Sequence, residues 1–323
     1  MAYFEIEKMQ KYKNILILGG YGFLGTNIMH YIDNNSSDLP YKFIVFDKFN
    51  SHPCGVKLHC VEKSYAGDFA DIDLLDRIFC ENNIDLVIHT LSTTIPVSSS
   101  NARYDVESNL IPTLDLLGMM VKHDVRDIVY LSSGGAIYGT YNNPPYSESD
   151  DVFPLSSYGV VKLTIEKYMM QYAQLYGIRP LILRLSNPYG SFHYSMKQGV
   201  INIAIAKALR HEPFHIWGDG NGKKDYIYVA DFVDILFQLI SKNVSNQILN
   251  VGSNILLSVN DITSAVQKLV RKIEVVYVGA QKFDASHFEL NTTKLISIIG
   301  DYKFTSFADG LTKTFQWTKS ICD

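Results

Sequence analysis

Tyr158 and Lys162, four residues apart in SSYGVVK, are the pair in this 323-residue chain best suited to moving a proton. At the start of a predicted helix, that spacing places both side chains on one face. A free phenol with a pKa of about 10 is a poor base at neutral pH, but an adjacent ammonium favours the phenolate. Such a tyrosine can take a proton from a substrate hydroxyl while the carbon-bound hydrogen leaves with its electrons for a nicotinamide. The same spacing also arises by chance in a chain with 21 tyrosines, so the pair needs support from elsewhere. Upstream, YLSSGGAIYG ends a predicted strand in two hydroxyls, Ser132 and Ser133. A serine there could hydrogen-bond the same substrate oxygen, or merely its own backbone.

The support comes from LGGYGFLG, where Gly20, Gly22 and Gly25 satisfy G-x-G-x-x-G between a strand and a helix. Glycines allow the tight turn and let backbone N–H groups approach a pyrophosphate at the positive end of the helix. Asp47 closes the second predicted strand, at the distance expected of a carboxylate that accepts the adenosine ribose hydroxyls. It would repel a 2′-phosphate and so favours NAD over NADP, a preference that the neighbouring Lys48 weakens. Asp68 in AGDFAD, after a predicted third strand, is a further candidate to meet the adenine, or a plain loop aspartate.

Stepping strand by strand, the apolar runs Asn14–Leu18, Lys42–Asp47, Leu86–Thr90, Ile128–Ser132 and Pro180–Leu185 alternate with helical patterns. The helices are predicted over 22–34, 74–82, 106–123 and 157–176. Repeated strand–helix–strand units give an α/β fold with a doubly wound parallel (Rossmann) sheet. Beyond residue 190 the rhythm loosens into a smaller, interleaved C-terminal α/β substrate lobe. We expect an N-terminal extension over 1–12, and a dinucleotide-binding domain over 13–188 to which 225–255 return. The substrate lobe then takes 189–224 and 256–323.

A net charge of −4 is too mild to suggest a nucleic-acid or membrane-surface partner. The first twelve residues carry no continuous apolar run, and no segment reaches the ~20 apolar residues of a membrane span, so a cytoplasmic enzyme is expected. Four cysteines with no CxxC pair read as reduced thiols. His52, Cys54, His59 and Cys60 match no standard zinc spacing, and no metal is expected there or elsewhere.

From Asn14 to Trp317 these motifs resemble the extended short-chain dehydrogenase/reductases, in the NAD-dependent epimerase/dehydratase family that includes UDP-glucose 4-epimerase. GGYGFLG, GDFAD, SSGGAIYG, SYGVVK, LRLSNPYG, KKDYIYVADFVD and LNVGS carry the resemblance. It implies cofactor contacts from Gly19, Gly22, Phe23, Leu24 and Gly25, from Asp47, Lys48, Asp68 and Phe69, and from Leu91, Ser92, Asn109, Ser132, Tyr158 and Lys162. It implies catalysis by Tyr158, Lys162 and Ser133, and substrate contacts from Thr94, Ser133, Asn187, Lys224 and Phe288. It also implies a homodimer through the helices near 106–123 and 157–176, and a setting in polysaccharide biosynthesis.

Departures from the family pattern bear on the reaction. The position of the usual hydroxyl, four residues before Tyr138, is Gly134, which leaves the role to Ser133. Where dehydratases carry an Asp-Glu pair stand Gly135 and Ala136, so dehydration lacks its acid and base. The diphosphate-clamping arginine is Lys224, which keeps charge but loses the bidentate fork, and a second is replaced by Gln281, ahead of Asp284. Phe288 would restrict the pocket to a plain hexose. The leading expectation is reversible C4 oxidation by an NDP-hexose 4-epimerase with resident NAD. A nucleotide-linked 4-keto-sugar reductase is the alternative, and a non-catalytic NAD sensor a third reading.

Overall fold

In the computed structural model the described residues are 12–35, 41–94, 101–139, 143–279 and 287–322. The first half runs β1 (Asn14–Leu18), α1 (Phe23–Asn34), β2 (Lys42–Asp47), β3 (Val61–Ala66), α2 (Ile72–Glu81) and β4 (Leu86–His89). It continues through α3 (Ala102–Asp105), a π-helical turn at Val106–Leu110, α4 (Ile111–Lys122), β5 (Asp127–Ser133), α5 (Gly134–Ile137), α6 (Ser157–Tyr176) and β6 (Arg179–Leu185). The second half holds β7 (Asn187–Tyr189), α7 (Val200–Leu209), β8 (Phe214–Trp217), β9 (Lys223–Tyr228), α8 (Val229–Ser241) and β10 (Gln247–Val251). It closes with β11 (Leu256–Ser258), α9 (Val259–Leu269), β12 (Val275–Val278), β13 (His287–Phe288), α10 (Thr293–Ile299) and α11 (Phe307–Cys322).

Seven parallel strands in the order β10-β6-β5-β4-β1-β2-β3 make the expected Rossmann sheet. The strands read as unbroken apolar runs because both faces are covered. Alternate residues of β1 divide between two cores: Ile15 and Ile17 pack under α1 and α8, Leu16 and Leu18 under α2, α4 and α6. The order reverses between β1 and β4, which opens a crevice at their carboxyl ends, the usual ligand position in such sheets.

The second lobe centres on β9, flanked by β7, β11 and β13, with β8 and β12 paired beside it. Two boundaries differ from expectation. The return to the large sheet begins with α8 at Val229, not at 225, because Asp225–Tyr228 belong to the central strand of the second sheet. The helix expected at 106–123 begins at Ala102 and widens into a π turn just ahead of Pro112, whose ring and missing N–H disfavour a regular turn there.

Candidate active site

The glycine turn between β1 and α1 is built from backbone alone. A Cβ on Gly25 would lie 2.5 Å from the Gly19 carbonyl oxygen and 2.6 Å from Gly20 Cα, so nothing larger fits where helix meets strand. Gly19 takes a left-handed conformation at φ 75°. Gly22 is the N-cap of α1 with no side-chain cap, which leaves the first-turn N–H groups of Phe23, Leu24 and Gly25 to an anion. The buried Asp47 carboxylate accepts the Tyr21 N–H at 3.0 Å, which ties it to the turn. Burial raises its pKa, against the backbone N–H groups of Tyr21, Lys48 and Phe49 that favour the charge. Lys48 is exposed and lies over the Phe49 ring, 5.1 Å from its centroid.

Further along the crevice, Leu91, Ser92, Thr94, Asn109, Tyr158 and Lys162 line one cleft, together with His89, Thr113 and Tyr130. The Ser133 hydroxyl hydrogen-bonds Tyr158. Lys162 is buried, donates to the Leu131 carbonyl at 2.8 Å, and lies 4.7 and 5.8 Å from the ring centroids of Tyr130 and Tyr158. The expected lowering of the tyrosine by its lysine is not what this geometry yields. Burial pushes Tyr158 up to about 12, only partly offset by Ser133, and pulls Lys162 down to about 8 against the charge of Glu166. For both groups desolvation outweighs the charge and hydrogen-bond effects around them.

Three of the expected contact residues have partners of their own within the protein. The Ser132 hydroxyl donates to Glu166 at 2.5 Å, and Ser133 is the serine that meets Tyr158. Asn109, in the π turn, accepts the Thr93 N–H at 2.9 Å and donates to the Thr93 and Thr94 hydroxyls at 2.7 and 3.5 Å, fixing the loop after β4. Phe69 packs in the core against Phe46 and His89, leaving the exposed Asp68 at the surface of that loop.

Comparison with known proteins fits this geometry. Residues 15–252 match the sequence model of the NAD dependent epimerase/dehydratase family. The chain belongs to this family. A candidate UDP-glucose 4-epimerase of Methanocaldococcus jannaschii is 32% identical over 313 residues, covering 95% of this chain and 98% of that protein. An Escherichia coli dTDP-4-dehydro-6-deoxyglucose reductase is 28% identical over 306 residues, 94% of this chain and 96% of that one. The UDP-glucose 4-epimerase of Thermotoga maritima, solved with UDP-glucose, superposes with a TM-score of 0.86 at 28% identity, covering 96% and 100% of the two chains. The cofactor of the family member described here is NAD, and the side-chain-free turn, open helix terminus and Asp47 suit it.

Of the residues expected to contact substrate, Asn187 donates to the Asp225 carbonyl at 2.8 Å and Lys224 pairs in register with Phe288 across β9 and β13. Phe288 is buried, with Tyr138, Tyr146 and Leu290, 6.2 Å from the Tyr146 ring. A Cβ on Gly134 would come within 3.0 Å of both Leu290 methyl groups, so Leu290 fills the space of the absent hydroxyl residue. Gln281, Lys282 and Asp284 lie outside the described residues. The four-residue set His52, Cys54, His59 and Cys60 does not converge: His52 Nδ1 accepts the Cys54 N–H and the Cys60 thiol donates to the Met29 carbonyl. Asp76, Cys80 and His123 do approach one another, but Asp76 already bridges Lys122 and His123 at 2.8 and 2.6 Å.

Sequence reasoning missed a buried polar chain behind the site. Glu166 accepts from Ser132 and from Arg184 Nη2 at 2.8 Å, Arg184 Nη1 donates to Tyr138 at 2.9 Å, and Tyr138 donates to Asn250 at 2.7 Å. One signal was legible: an arginine inside PLILRL, a strand otherwise apolar, must find a buried partner.

Proposed function

We propose that this protein is a UDP-hexose 4-epimerase that interconverts UDP-glucose and UDP-galactose. The observation that carries the reading is the bonded pair Ser133–Tyr158 beside Lys162, with glycine and alanine at the two positions where a dehydratase needs an acid and a base. NAD, held by the glycine turn at residues 19–25 and by Asp47, would supply the acceptor and donor for the C4 hydrogen and its electron pair. Tyr158 takes the O4 proton in one half of the cycle and gives it back in the other. Ser133 holds O4 against Tyr158, and Lys162 favours the phenolate once substrate and cofactor close the cleft. Asn187 and Lys224 face the diphosphate. The exposed side chains of Ile111 on α4 and of Val160 and Tyr168 on α6 suit a homodimer packed on those helices. No helix among the described residues is long and apolar enough to cross a membrane.

One observation favours a second reading, reduction of a 4-keto sugar. Burial keeps the Tyr158 proton on, which suits an acid more than a base, and the E. coli relative is such a reductase. The two separate on the state of the cofactor. An epimerase should purify with about one nucleotide per chain and interconvert UDP-glucose and UDP-galactose with none added. A protein that purifies empty, and acts on a keto sugar only with added reduced cofactor, is the reductase.

A further inference from the structure

We propose that Glu166, gripped by Arg184, is the positioning residue of this site: it holds Ser132 and thereby sets Ser133 against Tyr158. The inference rests on the reading of Tyr158, Lys162 and Ser133 as the reacting group. Tyr158, Lys162 and Glu166 are spaced i, i+4 and i+8 on α6, so they share one face across two turns. That face meets the end of β5 at three consecutive residues. Glu166 takes the Ser132 hydroxyl at 2.5 Å, Lys162 takes the Leu131 carbonyl at 2.8 Å, and Tyr158 bonds Ser133. Arg184 stands directly opposite Ser132 in the β5–β6 register and donates to both Glu166 oxygens, so the carboxylate cannot turn away.

The arrangement accounts for the serine's place in the chain. Leu290 crowds the space beside Gly134, and the strand end carries the hydroxyl that meets Tyr158. At the strand end both hydroxyls come within reach of this helix face: Glu166 holds Ser132, and the next residue, Ser133, meets Tyr158. The charges agree. Lys162, Arg184 and Glu166 are 6%, 3% and 1% exposed, two buried cations and one anion. The groups facing Lys162 are His89 from β4, Tyr130 from β5, and Tyr158 and Glu166 from its own helix; Glu166 raises the proton affinity of Lys162, whose charge in turn lowers that of His89. Arg184 from β6 and Tyr138 lie beyond the carboxylate. A carboxylate kept only for stability would not need to reach the strand end that carries the hydroxyl.

The variant to make is Glu166→Gln, which keeps shape and removes charge. Two readouts are taken. In protein labelled at lysine Cε, the resonance missing from Lys162→Met is titrated by NMR without substrate. Its midpoint should fall by about one pH unit or more in Glu166→Gln. In the interconversion of UDP-glucose and UDP-galactose, kcat should fall about 10- to 100-fold with KM little changed. Ser133→Ala added to Glu166→Gln should cost no more than the larger single change, since both act through one hydroxyl. If Glu166→Gln does not fold, the apolar pair Glu166→Met/Arg184→Met restores packing, and it should still show the kcat loss and the same lack of additivity with Ser133→Ala. An unchanged Lys162 midpoint, full additivity with Ser133→Ala, or a Met pair as active as wild type would overturn the proposal. Wild-type protein inactive on UDP-hexoses would instead sink the proposed function, while the substrate-free titration would still decide whether Glu166 governs Lys162.

Discussion

The two ends of the crevice are built from opposite materials. The cofactor end is backbone: a turn with no room for a Cβ at Gly25 and an uncapped helix start at Gly22. The reactive end is side chain on side chain: Ser133 on Tyr158, Lys162 on Leu131, and Glu166 with Arg184 behind them. A backbone cradle is specified by what must be absent, so it tolerates little change and shows plainly in a string of glycines. A side-chain site is specified by partners far apart in the chain, and its members can trade places.

The largest expected effect is at the reactive end. Tyr158→Phe should lower kcat for interconversion about 1,000-fold, within the range for loss of a general acid–base, with bound NAD retained. Activity within tenfold of wild type would break the contrast, because the proton would then travel by another group.

Next comes acid stability, which reports the wall between the two ends. Burial holds His89 down at about 3, with the Lys162 charge adding to it, against an ordinary value of about 6.5. Between those values the unfolded chain binds the proton that the folded chain refuses, so stability should drop as pH falls from about 6.5 toward 3. The slope corresponds to a few kcal/mol in all, and His89→Phe should flatten it in chemical denaturation at stepped pH.

Gly25→Ala tests the cradle. Its Cβ meets backbone atoms that cannot step aside, so a cost of about 1–3 kcal/mol should appear as a lower Tm and as NAD lost during purification. Unchanged NAD content would show that the turn is less tight than its geometry says. Asp47→Ser should weaken NAD about tenfold and narrow the gap to NADP, measured by calorimetry on stripped protein.

The smallest effect joins the two ends. Gly134→Ser restores the usual hydroxyl but drives into the Leu290 methyl groups, for a cost of about 1 kcal/mol. Adding Leu290→Ala should relieve that strain, seen as a recovered Tm.

Much of this was legible before any coordinates. Helix Ser157–Tyr176 and strand Lys42–Asp47 fall where periodicity put them, because long amphipathic or apolar runs bounded by glycine and acid leave little choice. Short strands such as Phe214–Trp217 were hidden, since four residues beside a glycine-rich loop carry too little periodicity. In the site, Ser133 was picked over Ser132, but nothing local says that Ser132 serves Glu166. The Tyr158 shift runs against the expectation for a related reason: spacing reports that a lysine is near, while burial decides which effect wins.

The most direct test of the central claim uses UDP-galactose deuterated at C4, incubated with the purified protein in ordinary water without added cofactor. The account predicts UDP-glucose with deuterium still at C4, because the hydrogen leaves and returns within one closed cleft. Absence of UDP-glucose, or UDP-glucose carrying protium at C4, would contradict it.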